Sequence, residues 1–230
     1  STHHFDLLNW WLNSDPVEVF AYGSLEFYGK NGPFRSTNCR PCPHKNECKF
    51  YFDMTKNDRL MKLYADNEKY DGYLRDGCVF REDIDIFDKM AVQIKYANNV
   101  QVSYSLTAYS PYEGYRISFN GTKGKIDAWI HESQPWPKEK YDEIQITKNF
   151  GETAYIRIDN TEAGHGGGDI RLRKQLFNPG ADPFKQAAGS RDGAMSCLTG
   201  VAARKSIDSG MPVKIKDLSS IVPHPTRGNS

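Results

Sequence analysis

The sequence predicts an α+β domain: an open, mostly antiparallel β-sheet with helices packed on one face. Three observations predict it. Two successive pairs of segments in mid-chain alternate with period two across short turn sequences, helical periodicity is confined to the first and last thirds, and these groups are segregated along the chain. Short links between successive strands mean antiparallel pairing, because a parallel crossover needs a dozen or more residues. At 230 residues, with 38% hydrophobic and 13% aromatic content, the chain can bury a core as one domain, residues 1–230, with a cysteine-rich loop inserted at about 29–55.

The first helix is expected over about 3–13, ending at Asn13-Ser14-Asp15-Pro16, because Pro16 disfavours helix before it. It opens abruptly, Ser1-Thr2-His3-His4 leading straight into Phe5, Leu7, Leu8, Trp10 and Trp11, which implies a segment upstream. The aromatic, alternating run 17–28 reads as a strand. Residues 29–55 form a loop punctuated by Gly32, Pro33, Pro41 and Pro43, and 56–67 a second helix. The strands 90–96 and 100–109 make a hairpin around Ala97-Asn98-Asn99, where asparagine tolerates the left-handed backbone of a tight turn. A second hairpin, 115–120 with 125–130, turns at Gly121-Thr122-Lys123-Gly124, which accounts for the sequon-like Asn120-Gly121-Thr122. Strands at 143–147 and 153–158 follow, then helices at about 169–177 and 191–209, with Gly210 as the stop.

Charge excludes some functions. Lys and Arg total 30 against 29 for Asp and Glu, a formal net charge of +1, so there is no basic footprint for nucleic acid or an anionic membrane. No run approaches the roughly 20 apolar residues of a membrane span, and the N-terminus lacks a signal-peptide layout. A neutral small molecule in a concave site fits better. The compartment stays open, the cytoplasm being favoured over export.

Four groups of residues could carry chemistry. His3 and Asp6, three apart on a helix, share a face, so the carboxylate could fix the imidazole tautomer or face a cleft beside it; the plainer account is a terminal cap and a surface histidine. The stretch Gly164-His165-Gly166-Gly167-Gly168-Asp169 fails as a dinucleotide fingerprint, since Asp169 stands where the third glycine belongs, and there is no Walker lysine. It reads either as a turn with Asp169 capping the next helix or as a cleft wall presenting His165. Cys39, Cys42 and Cys48, with His44 between them, form C-x2-C-x-H-x3-C, a concentration of soft ligands suited to structural zinc, with His44 or the distant Cys78 as the fourth ligand. Disulfides or free thiols are the alternatives. Cys197 is expected in the core. Arg75, among the tyrosines of 70–75, suits either a sugar face or a subunit contact.

Several stretches, in order, resemble the C-terminal domain of the Gfo/Idh/MocA oxidoreductases: Thr2 to Leu8, Asp83 to Asp88, Tyr115 to Gly124, His165 to Asp169, and Asp192 to Met195 leading to Pro212-Val213. The resemblance implies a partner Rossmann domain in the same protein that binds NAD or NADP and carries the family's catalytic lysine. It implies a sheet that supports homo-oligomers, and a histidine followed by x-x-Asp, here His3 and Asp6, that serves proton transfer while hydride passes to the nicotinamide. His165, Arg75 and Tyr115 are the candidate contacts to a sugar-like substrate. The expected function is thus the C-terminal half of an NAD(P)-dependent oxidoreductase acting on a sugar, polyol or related hydroxyl compound, inactive alone. The alternatives are a non-catalytic binding or oligomerisation domain, or part of an NAD-dependent glycosidase. The cysteine loop is not a general family feature.

Overall fold

The computed structural model describes residues 2–160 and 164–227. The chain divides into two compact units, one made of residues 1–109 and 188–230, the other of 110–187.

The first unit contains helix α1 (Thr2–Leu12) and strand β1 (Pro16–Ser24), then an insertion with two short helices, α2 (Asp58–Leu63) and α3 (Glu68–Asp71). The hairpin strands β2 (Lys89–Tyr96) and β3 (Gln101–Thr107) follow, and the chain returns to this unit at the long helix α5 (Ser190–Ser209) and the two-residue strand β8 (Val213–Lys214). The strand order is β3-β2-β1-β8, antiparallel throughout. Alternation decides which face is buried. Val19 pairs with Ile94 and Ala21 with Val92, all four are buried, and they pack with Phe5, Met195, Ala202 and Ala203 of the helices. The residues between them, Ala91, Gln93 and Lys95, are exposed, so one face of this sheet meets helices and the other meets solvent.

Two local contacts show why α5 lies so close to β1. Because β8 pairs only with Glu18 and Val19, the Ala21 amide has no strand partner on that side and donates instead to Ser206 Oγ of α5, at 3.0 Å. A β-carbon at Gly23 would come within 2.7 Å of Ile207 Cδ1 and 2.9 Å of Phe87 Cδ2, so glycine permits the approach. The C-terminal segment is tied down by ion pairs: Asp15, buried, accepts from Arg191 at 2.6 Å and from the His224 amide at 2.7 Å, and Arg227 donates to Asp192 at 2.6 Å. Burial pushes the Tyr96 hydroxyl far up; it donates to Asn9 Oδ1 at 2.8 Å.

The second unit is a four-stranded antiparallel meander, β4 (Glu113–Gly121), β5 (Gly124–Ser133), β6 (Tyr141–Lys148) and β7 (Thr153–Asp159), followed by helix α4 (Gly168–Phe177). Its register runs apolar rows across one face, Ile117 to Ala128 to Ile144 to Ile156, and polar ones across the other, Ser118 to Asp127 to Gln145 to Tyr155. Helix α4 leaves Ile170, Leu172, Leu176 and Phe177 exposed.

The α+β class and the antiparallel pairing agree with the sequence reading; the strands divide into two sheets of four. Asn99 has φ 68°, the left-handed turn residue of the first hairpin. The strand expected over 17–28 stops at Ser24. Beyond it the Asp88 carboxylate gathers the amides of Glu26, Phe27 and Tyr28 at 2.9, 2.7 and 2.9 Å and bends the chain away. The helix expected over 56–67 is only Asp58–Leu63 with a 3-10 turn after it. Cys197 is a correction. It is exposed, because the buried stripe of α5 follows Asp192, Met195, Thr199, Ala202 and Ser206, and residue 197 falls on the opposite side. No helix among the described residues is long and apolar enough to cross a membrane.

Candidate functional site

The first turn of α1 is anchored from three directions. Ser196 Oγ donates to the Thr2 carbonyl at 2.5 Å, His4 Nδ1 and the Tyr104 hydroxyl share a hydrogen bond of 2.7 Å, and Phe5 is buried in the core. Burial raises the Tyr104 hydroxyl above its ordinary value. On this fixed turn His3 is exposed and makes no hydrogen bond among the described residues. The backbone that carries its imidazole is therefore held in place, while neither ring nitrogen is engaged by the described residues. Asp6 does not bond His3. It faces Arg227, whose Nη2 lies 3.9 Å from Asp6 Oδ1, a buried oxygen with no hydrogen-bond partner among the described residues. Arg227 is itself buried against Asp192, so an Asp192–Arg227–Asp6 cluster lies behind the helix start.

In the second unit His165 adopts φ 49°, a left-handed conformation uncommon outside glycine. Its Nδ1 donates to Asp169 Oδ1 at 2.8 Å, and the ring is 85% exposed. Asp169 therefore does not cap α4 as expected: the N-cap is left-handed Gly167, and the carboxylate orients the imidazole. Tyr115 lies on the apolar face of its sheet, opposite Ile130, where burial raises its hydroxyl. Arg75 stands over the Tyr64 ring at 5.5 Å and reaches the Tyr73 hydroxyl at 3.5 Å, a stacked position in the insertion.

The cysteine loop does not form the metal-ligand group that its C-x2-C-x-H-x3-C spacing suggested. His44 turns to Glu47, 2.5 Å from its Nδ1, and stacks on Phe34 at 4.5 Å. Cys39, Cys42, Cys48 and Cys78 line one cavity, and His44 does not. All are free thiols, and among the described residues no three His, Cys, Asp or Glu side chains are gathered as a metal-holding group. Burial pushes the Cys39 thiol up.

A feature not anticipated from the sequence lies on the polar face of the second sheet. Arg116 covers Trp129 at 3.9 Å, and Trp129, His131, Trp136 and Tyr112 form a ring-to-ring cluster with centroids 4.3 to 6.4 Å apart. Arg116, Trp129, His131 and Trp136 border an open groove of about 960 Å3 that Asp142 and Glu143 also line. His131 Nε2 is buried there without a hydrogen-bond partner among the described residues. Flat apolar rings beside carboxylates suit stacking against a polar ring such as a sugar. The signal was present in the alternation Asp127, Trp129, His131, which puts all three on one face of β5.

Comparison with known proteins agrees with this fold. The chain is 35% identical over 236 residues to the Bacillus subtilis (strain 168) protein named "Putative oxidoreductase YteT", covering 95% of this chain and 55% of that one. Among solved structures, it matches the aldose-aldose oxidoreductase of Caulobacter crescentus, in complex with glycerol, at TM-score 0.51 and 12% identity, covering 93% of this chain and 45% of that one. A "putative nadph-dependent oxidoreductase" from Desulfitobacterium hafniense matches at TM-score 0.52 and 12% identity, covering 94% and 46%. The chain thus spans about half the length of the relatives it matches. The family model described as "Oxidoreductase family, C-terminal alpha/beta domain" matches residues 1–215, and the chain belongs to that family, the Gfo/Idh/MocA oxidoreductases.

Proposed function

We propose that this chain is the substrate-side half of an NAD(P)-dependent oxidoreductase that interconverts a hydroxyl carbon and the corresponding carbonyl of a sugar, polyol or related compound. The observation that carries the reading is His3: an exposed imidazole that makes no hydrogen bond among the described residues, on a helix turn fixed by Ser196, Phe5 and the His4–Tyr104 hydrogen bond. The nicotinamide, when bound, supplies the hydride acceptor or donor. This chain fits that group at His3, whose ring nitrogens are free to face a substrate. It offers no phosphate cradle at the glycine-rich turn, where Asp169 puts a carboxylate in the first turn of α4, so phosphate binding is assigned to the other half of the enzyme. In alcohol oxidation a ring nitrogen of His3 takes the hydroxyl proton as the C–H bond gives up its hydride. The Asp192–Arg227–Asp6 cluster holds the helix start behind it.

In the second unit His165, oriented by Asp169, keeps an exposed ring available for hydrogen bonding, and in the first unit Arg75 is stacked within the insertion. That the Caulobacter aldose-aldose oxidoreductase shares this fold supports a carbohydrate-like substrate. A second role, assembly of copies of this chain, is favoured by the apolar sheet face, where Ile126, Ile156 and Ile158 are 39%, 46% and 50% exposed.

The test is reduced-nicotinamide absorbance across aldoses, polyols and sugar acids, with the full-length enzyme and with this chain alone. Nucleotide-dependent turnover by the full-length enzyme only is expected. Turnover by the chain alone contradicts the division of labour, and cleavage of aryl glycosides that requires NAD would replace dehydrogenation with glycoside hydrolysis.

A further inference from the structure

The insertion between β1 and β2 carries four of the five cysteines, and its backbone brings them together. An isolated antiparallel bridge pairs Asn38 with Gly77; the Cys39 amide donates to the Asp76 carbonyl at 2.8 Å and the Cys78 amide to the Thr37 carbonyl at 3.1 Å. Residues flanking such a bridge turn to the face opposite the bridged pair, so Cys39 and Cys78, remote in sequence, share a side. Cys42 follows in a turn, its amide on the Cys39 carbonyl at 3.1 Å, and Cys48 in another, its amide on the His44 carbonyl at 3.0 Å. The four line a cavity of about 330 Å3, walled by Phe34, Phe50, Phe52 and Phe80.

The surroundings are built to hold this arrangement. The buried Asp76 carboxylate accepts from Asn38 Nδ2 at 3.0 Å and from the Arg40 amide and Nε at 2.9 and 3.0 Å, locking the two cysteine-bearing segments together. The Phe80 amide donates to Cys78 Sγ at 3.4 Å, a bond that favours a thiolate over a thiol. Arg75 lines the same cavity, a cation beside what would become an anionic centre.

We propose that Cys39, Cys42, Cys48 and Cys78 bind one zinc ion as a structural tetrathiolate site, closed by side-chain rotation around this cavity. A closed set of four sulfur ligands is the arrangement of structural zinc sites, and tetrahedral sulfur coordination selects zinc or an iron–sulfur centre. His44 is not a ligand. On binding, four S–H bonds break, four S–Zn bonds form, the protons pass to solvent and no electron is transferred. The site braces the insertion and does not depend on the redox function proposed above.

The experiment uses the whole chain, expressed with zinc and purified reduced without chelator. Elemental analysis is expected to give close to one zinc per chain, with no visible absorption, and cobalt exchange is expected to give the intense red-region bands of tetrahedral thiolate coordination. Cys78→Ser is expected to lower zinc affinity about 10-fold or more, whereas Cys197→Ser and His44→Ala keep the zinc. If Cys78→Ser does not fold, cobalt titration of zinc-depleted wild-type protein carries the same test. Zinc well below one per chain, a disulfide between any two of the four by mass spectrometry, equal zinc in Cys78→Ser, or iron with inorganic sulfide would each overturn the proposal.

Discussion

His3 is distinguished by the separation of its support from its surface. Among the described residues, its turn is fixed through Thr2, His4 and Phe5, and no hydrogen bond reaches the ring. In the full-length enzyme, His3→Asn is therefore expected to lower kcat by about 10²- to 10⁴-fold, the usual worth of a positioned acid–base group, with an unchanged melting temperature. Circular dichroism alongside steady-state kinetics checks both halves. Ser206 makes the opposite case, a buried hydroxyl with a structural task. Ser206→Ala strands the Ala21 amide and is expected to cost about 1–3 kcal/mol, read by urea denaturation, with no effect on KM. Asp88 supplies a pH dependence. Burial alone would raise its carboxyl, but hydrogen bonds from the Tyr28, Glu26 and Phe27 amides outweigh that and hold it below the usual aspartate range. A carboxyl depressed by folding stabilises fully above its unfolded value, about 3.9, and that contribution disappears as pH falls through the lower folded value. The stability gap between wild type and Asp88→Asn is thus expected to be constant near neutrality and to close only below about pH 4, as thermal melts across acid pH will reveal.

Among the elements, those governed by local periodicity were legible. The hairpin β2–β3 was readable from alternation and from Asn99, and α5 from its period and Gly210. What escaped depended on distant partners. Strand β8 is two residues long and exists because β1 offers an edge; no local pattern marks it. The division into two sheets follows from which hairpins extend which, a non-local matter. In the cysteine loop, spacing named the region but left the fourth member open between His44 and Cys78, and it is the Asn38–Gly77 bridge that brings Cys78 in. The aromatic cluster on β5 was visible as alternation but required Tyr112 and Trp136 from neighbouring loops. Between elements, the approach of α5 to β1 rests on Gly23. Gly23→Ala is expected to destabilise by about 1–3 kcal/mol through overpacking against Ile207 and Phe87, measurable by chemical denaturation.

At the scale of the molecule, family membership fixes the context as an oxidoreductase C-terminal domain, and the chain covers about half of its relatives. The exposed isoleucine face of the second sheet makes self-association testable: Ile156→Asp paired with Ile158→Asp is expected to shift sedimentation toward monomer. The central claim, that an anchored, unpartnered imidazole moves the proton in a reaction completed by another half of the enzyme, meets its most direct test in the pH–rate profile of kcat for the full-length protein and its His3→Asn variant. The variant is expected to lose most of its rate and to show a pH dependence different from that of the wild type. An unchanged rate and profile in a folded His3→Asn enzyme would contradict it.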